Sequence, residues 1–320
     1  MKIAVVGAGA LGSYYGAKLA RAGEDVRFLL RRDYAAVKKR GLRILSAEGD
    51  FHINPKIAER PEVIGPSDLV LIGLKSTAND HFPELLPPLV GPNTKLLTLQ
   101  NGLGNEAALA AIFGEQRVMG GLAFVCLNRE EPGVVRHLAH GNITLGEHNR
   151  WPEPFTHDVA TMFRRAGIPC KVTDNLDAAR WRKLVWNIPF NGLGVAAAAG
   201  YDAVAQGETQ ARKTRAPFST DLLLADPRWA ALVRGLMAEV IAAAGAEGHP
   251  IEPEFIEEQI ADTQMMRGYK PSTVIDYEQG RPLELNAIFI EPLRRAKANG
   301  LASPLLENLC KVLTSLAKDL

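Results

Sequence analysis

A short apolar run, Ile3 to Val6, that breaks into Gly7-Ala8-Gly9-Ala10-Leu11-Gly12 narrows the possible folds of this chain more than any other feature. Such a GxGxxG puts Gly7 at the tight turn leaving a strand, Gly9 where backbone must approach a pyrophosphate, and Gly12 where a helix lies close against its sheet. The positive end of that helix then faces the phosphates. Alone, the motif is weak evidence. Here it follows a strand pattern, opens a helix pattern with Leu11, Tyr15 and Leu19 at i, i+4 and i+8, and meets a second apolar run, Val26 to Leu30, within about thirty residues. That context points to a βαβ dinucleotide site, with a glycine-rich turn in some other α/β protein as the plain alternative.

The second run ends in Arg31-Arg32. An acidic residue there would accept from the ribose 2′-OH and repel a 2′-phosphate, whereas arginine stabilises that phosphate. Asp33 follows but lies past the strand end, so the sequence favours NADP(H) over NAD(H). Solvated surface charge is the competing reading, strongest for Arg32.

At 320 residues the chain exceeds the size at which one hydrophobic core keeps growing, so two domains are expected. Its 37 basic and 36 acidic residues nearly cancel, which gives no electrostatic argument for nucleic acid or a membrane surface as partner. Cys126, Cys170 and Cys310 are far apart and odd in number, fitting a reducing compartment better than a disulfide framework or a zinc site. The chain begins directly on a strand, and no apolar run approaches the roughly twenty residues of a membrane helix, so a cytoplasmic protein is expected.

Leu42 to Ile57 alternates loosely around Gly49-Asp50, as a hairpin does. Leu69 to Leu74 is continuously apolar, the pattern of a parallel strand buried on both faces, and Lys75 stands at its carboxyl end. Open α/β sheets bind ligands outside those ends, so Lys75 is placed to meet cofactor phosphate or ribose unless it is a solvated loop lysine. Leu96 to Leu99 repeats the pattern and ends in Gln100-Asn101-Gly102, where Asn101 reads equally as turn chemistry and as a group positioning substrate or nicotinamide. Val118 to Leu127 and Asn142 to Leu145 read as antiparallel strands closing the sheet edge, Phe155 to Ala166 as a helix, and Ile168 to Val172 as a last strand. Thereafter the segments Leu176 to Ala199, Trp229 to Gly248, Pro253 to Met266, Leu283 to Asn299 and Pro304 to Leu320 have helical periodicity. The expected organisation is an α/β cofactor domain over 1–174 and a helical substrate domain over 175–320, with the cleft between them as the default site.

Early in the second half, Lys183, Asn187 and Asn191 fall at i, i+4 and i+8 and share one helix face. A Lys-Asn-Asn row beside Leu184, Val185 and Trp186 suits a lined polar cleft better than a solvated face. Pro189 lies within this helix and predicts a kink. A second cluster runs from Pro271-Ser272-Thr273 through Asp276 and Gly280-Arg281-Pro282 to Glu284. Pro282 suits the first turn of a helix and Glu284 its positive end, and a capping or loop role accounts equally for Ser272.

Taken together, these residues resemble the ketopantoate reductase (2-dehydropantoate 2-reductase) family over essentially the whole length. The resemblance rests on the N-terminal GxGALG, Arg31, Lys75 after the fourth strand, Asn101-Gly102, the Trp181-Arg182-Lys183-Leu184 segment with its following asparagines, and Ser272 twelve residues before Glu284. It implies a Rossmann-type dinucleotide-binding domain joined to an all-α domain like the C-terminal part of 6-phosphogluconate dehydrogenase. It also implies NADPH-dependent reduction of 2-dehydropantoate to (R)-pantoate in pantothenate synthesis, without a metal. Gly7, Gly9, Ala10, Leu11, Gly12, Arg31, Lys75 and Asn101 would then bind cofactor. Lys183 would be the general acid, with a pKa lowered toward neutrality, because hydride addition to a ketone leaves an alkoxide that must be protonated. Glu284 would bind substrate hydroxyls and set the charge of Lys183, while Asn101, Asn187, Asn191 and Ser272 would hold substrate oxygens.

Pro189, Asn286 and Pro292 depart from the family pattern, and Gln206 to Arg228 looks like a variable insertion. A reductase of another 2-oxo acid, or a β-hydroxyacid dehydrogenase-like enzyme, keeps the architecture and changes the substrate. A dinucleotide-binding regulator without turnover is a further alternative. The helical domain offers apolar surface for a homodimer.

Overall fold

Alternation inside the first apolar run decides the layering of the N-terminal half. The computed structural model describes residues 1–320, which form two compact units, Met1–Leu176 and Asp177–Leu320. In β1 (Lys2–Val6), Ile3 and Val5 join one core with Tyr15 and Leu19 of the helix Ala10–Arg21 and with Val159 and Phe163 of the helix Pro154–Arg165. Ala4 and Val6 point the other way, into a core with Phe82, Leu86 and Leu109. Period-two alternation with both faces covered explains why the strands read as unbroken apolar runs.

The remaining strands are β2 (Asp25–Leu29), β3 (Leu42–Ser46), β4 (Phe51–Ile53), β5 (Lys56–Ala58), β6 (Ser67–Ile72), β7 (Val90–Thr98), β8 (Val118–Glu131), β9 (Val134–Glu147) and β10 (Cys170–Val172). Six of the ten strands lie in the order β5-β2-β1-β6-β7-β8, every neighbouring pair parallel, which is the doubly wound dinucleotide-binding order with its switch point between β1 and β6. Beyond β8 the sheet changes character. β9 returns antiparallel along it as a 14-residue partner, β3 and β10 pair parallel with β9, and β4 closes the edge against β3. The hairpin expected around Gly49-Asp50 is β3–β4, inserted between the second and third strands of the doubly wound core.

The C-terminal unit is all helical. Its first helix, Leu176–Ala196, is continuous with Pro189 inside it. Proline removes one ladder donor, and the helix face around it is fully buried at Val185, Ile188 and Phe190, so packing holds the helix together. A correction concerns Pro282, expected in the first turn of the next helix. Helix begins at Leu285, and Ile288 N–H donates to the Glu284 carbonyl at 3.3 Å, so Glu284 caps the helix from outside and Pro282 precedes it. Pro292 does not end that helix. It lacks an N–H for the Ile288 carbonyl, and the turn before it widens into a π-helix over Asn286–Ile290 before α-helix resumes at Glu291–Ala298.

Residues 206–228 are tied into the helical unit. Phe218 N–H donates to the Gly194 carbonyl at 2.8 Å, its ring packs on Trp229, and Ser315 Oγ donates to the Ala211 carbonyl at 3.0 Å. Finally, the helix Pro227–Ala246 is long and apolar enough to cross a membrane, contrary to the expectation that no segment approaches that length. Trp229, Leu232, Val233, Leu236, Met237 and Val240 are buried within its own unit, and Glu239 accepts from the N–H groups of Leu305 and Leu306, so it is built as a core helix.

Candidate active site

The first constellation lies where β1, β2, β6 and β7 end. Gly7 turns the chain at φ 88°, and a Cβ there would fall 2.3 Å from the backbone nitrogen of Leu74. At Gly12 a Cβ would lie 2.4 Å from the Gly7 carbonyl oxygen, so glycine is what lets the helix start against the turn. Gly9 differs: a Cβ there would meet nothing within 4 Å, leaving an open approach to the backbone ahead of the first N–H groups of Ala10–Arg21. No acidic residue occupies that first turn. A backbone cradle open at Gly9 and closed at Gly7 and Gly12 suits a pyrophosphate.

Arg31 follows the end of β2, and the side chains of Arg31 and Arg32 are exposed without an ion pair. Asp33 is turned inward instead. Both its carboxylate oxygens accept from Arg129, and Oδ2 also accepts from Gly133 N–H at 3.2 Å, which ties the β2 end to the β8–β9 hairpin. The acid that would otherwise compete for a ribose hydroxyl is thereby spent on structure, and the two arginines remain. Lys75 stands exposed three residues past β6, and Asn101, partly buried, three residues past β7.

The second constellation lies within the helical unit. Two tryptophans fix the rotation of the Leu176–Ala196 helix: Trp181 Nε1 donates to Glu247 at 3.0 Å and Trp186 Nε1 to Thr263 Oγ1 at 2.8 Å. Between them Lys183 keeps partial solvent access. Burial lowers its pKa most, the Arg180 charge lowers it further, Glu284 raises it, and the balance brings the amine to about 7. One turn on, Asn187 is 7% exposed and its amide has no hydrogen-bond partner in the protein. Asn191 is used differently. Its Nδ2 donates to the Asn187 carbonyl at 3.0 Å and its Oδ1 accepts from Thr273 N–H at 3.1 Å, which pins the helix Ser272–Glu278 to this face with Ser272 exposed at its start.

Lys183, Asn187, Asn191, Ser272 and Glu284 thus gather in one unit, Glu284 itself being 8% exposed. Sequence reasoning missed Arg180, which stands one turn before Lys183 and is 3% exposed; its i−3 spacing was the available signal. It also left Asp276 without a role, whereas this buried carboxylate pairs with Arg281 at 2.8 Å and holds the loop leading to Glu284.

Comparison with known proteins identifies a family over both units. The family described as "Ketopantoate reductase PanE/ApbA" matches residues 3–150, and its C-terminal counterpart matches residues 175–317. A 2-dehydropantoate 2-reductase of Nostoc sp. is 40% identical over 310 residues, covering 95% of this chain and 91% of its own. The crystal structure of a 2-dehydropantoate 2-reductase from Geobacter metallireducens has a TM-score of 0.89 at 48% identity, over 98% of this chain and 99% of that one. A further one, from Methylococcus capsulatus, has a TM-score of 0.86 at 32% identity, over 100% and 97% of the two chains.

Proposed function

The chain belongs to the ketopantoate reductase family, whose members are dinucleotide-dependent oxidoreductases, and from that premise we propose that it reduces 2-dehydropantoate to (R)-pantoate with NADPH in pantothenate synthesis. The observation that carries the reading is Lys183, a lysine poised near pH 7 among polar groups on one helix face. NADPH, when bound, supplies the hydride to the ketone carbon. The Lys183 ammonium gives its proton to the ketone oxygen, and a pKa near neutrality makes that transfer efficient at working pH.

Glu284 favours the protonated form of Lys183, and it accepts from the substrate hydroxyls. Asn187, whose amide is uncommitted, and Ser272 hydrogen-bond the substrate oxygens; Asn191 shapes that pocket by anchoring the 272–278 helix. On the cofactor side, Gly7, Gly9, Ala10, Leu11 and Gly12 cradle the pyrophosphate, Arg31 meets the 2′-phosphate, Lys75 the ribose or phosphate, and Asn101 the nicotinamide or substrate carbonyl. The exposed, unpaired Arg31 and the diverted Asp33 support NADPH over NADH. Three free cysteines fit an enzyme of a reducing compartment such as the cytoplasm, and a homodimer is compatible with the apolar helical unit.

Because the Asn191 amide is engaged at both ends, it favours as a second reading a 2-oxo acid with one fewer hydrogen-bonding group. NADPH oxidation with ketopantoate and a panel of other 2-oxo acids decides between them. Ketopantoate turning over with the highest kcat/KM supports the first reading, and turnover of another acid without ketopantoate supports the second.

A further inference from the structure

At the Asn101–Gly102 turn, side-chain amides form a chain with a direction. Thr98, at the end of β7 and fully buried, accepts the Gln100 N–H on Oγ1 at 3.2 Å and donates its hydroxyl proton to Gln100 Oε1 at 2.9 Å. Gln100 Nε2 donates to Asn79 Oδ1 at 2.8 Å, and Asn79 Nδ2 donates to Asn105 Oδ1 at 2.9 Å. Asn105 Nδ2 ends the chain on the Asn101 carbonyl oxygen at 2.9 Å. Gln100 and Asn105 are 3% and 1% exposed and Asn79 is half-buried, so water competes little at the first and last of these amides. Each amide has one accepting end and one donating end. The backbone N–H of Gln100 fixes the Thr98 hydroxyl, that hydroxyl fixes Gln100, and the orientation passes on to Asn101.

The turn needs such support. Gly102 and Gly104 have φ of 85° and 87°, so neither carries a side chain that could pack to stiffen it. We infer that Gln100, Asn79 and Asn105 are positioning residues that hold the Asn101 peptide, and with it the side chain proposed to meet nicotinamide or substrate, through a one-way relay from the backbone just past β7. The inference rests on the reading of Asn101 proposed above.

The relay has a polarity that substitution can reverse. In Gln100→Glu the carboxylate has no proton to donate, so Asn79 turns its Nδ2 toward it, Asn105 turns in response, and the Asn105 oxygen faces the Asn101 carbonyl oxygen. Gln100→Met breaks the relay upstream but leaves the Asn105–Asn101 bond. Asn105→Ala removes that bond. The experiment measures kcat and KM for ketopantoate, NADPH Kd and melting temperature in these three variants and in Asn101→Ala.

The expected result is a kcat roughly 10- to 100-fold lower in Asn105→Ala and Gln100→Glu, a smaller loss in Gln100→Met, and an NADPH Kd within about twofold of wild type in all three. If Gln100→Glu does not fold, Asn105→Ala decides alone. A slow Asn101→Ala beside an Asn105→Ala of near wild-type kcat overturns the relay only, as does a Gln100→Met as slow as Gln100→Glu. Full kcat in Asn101→Ala overturns the role of Asn101 and the relay with it.

Discussion

Lys183 shows how a single side chain can be tuned by burial and two charged neighbours that pull in different directions. Burial and Arg180 disfavour its charge, Glu284 favours it, and the result is an amine near 7. An acid that must be protonated loses function as pH rises through its pKa, so kcat/KM for ketone reduction should fall above about pH 7. Since Glu284 raises that pKa, Glu284→Gln should move the alkaline limb to lower pH; removing the opposing charge with Arg180→Gln should move it to higher pH. Limbs that stay in place in both variants would mean that another group carries the proton. In the N-terminal unit, Arg31→Ala should weaken NADPH binding by roughly tenfold or more, and NADH binding by much less, because an arginine–phosphate pair is a charge-assisted contact that NADH lacks. Equal losses in titration calorimetry would remove the 2′-phosphate role.

The glycine turn and the helix after it act as one element, and its three glycines do different work. Gly12→Ala puts a Cβ 2.4 Å from the Gly7 carbonyl oxygen, which should cost roughly 1–3 kcal/mol of stability as well as binding. Gly9 has a negative φ and open space around it, so Gly9→Ala should leave apo stability within about 1 kcal/mol while lowering dinucleotide affinity. A Gly9→Ala protein that binds as tightly as wild type would show that the backbone there is not the phosphate cradle. Elements of this kind were legible in the sequence because their rules are local: glycine spacing, apolar runs, i+4 periodicity. The tips of β8 and β9 were not, since Asn128 to Glu131 are polar and read as a strand end, yet they pair across the hairpin with Arg136, Val135 and Val134. Likewise the face shared by Lys183, Asn187 and Asn191 follows from spacing, whereas the bond that commits Asn191 reaches Thr273, 82 residues away.

At the scale of the molecule, an α/β half followed by a helical half could be read from the change of period near residue 175. What the pattern could not reveal was one sheet of ten strands, because β3 leaves the chain order to pair with β9 and carries β4 on its outer edge. A dinucleotide that binds only the folded form should stabilise it by about 2.7 kcal/mol at a hundredfold excess over Kd. NADPH should therefore raise the melting temperature more than NADH at equal concentration, and the reverse order would assign the cofactor differently.

The most direct test of the whole scheme is NADPH oxidation with ketopantoate by the wild-type protein and by Lys183→Ala. Wild type should turn over, and the variant should lose roughly 10²- to 10⁴-fold in kcat, the usual contribution of a general acid, while still binding NADPH. A wild type inert toward ketopantoate, or a variant as fast as wild type, would contradict it.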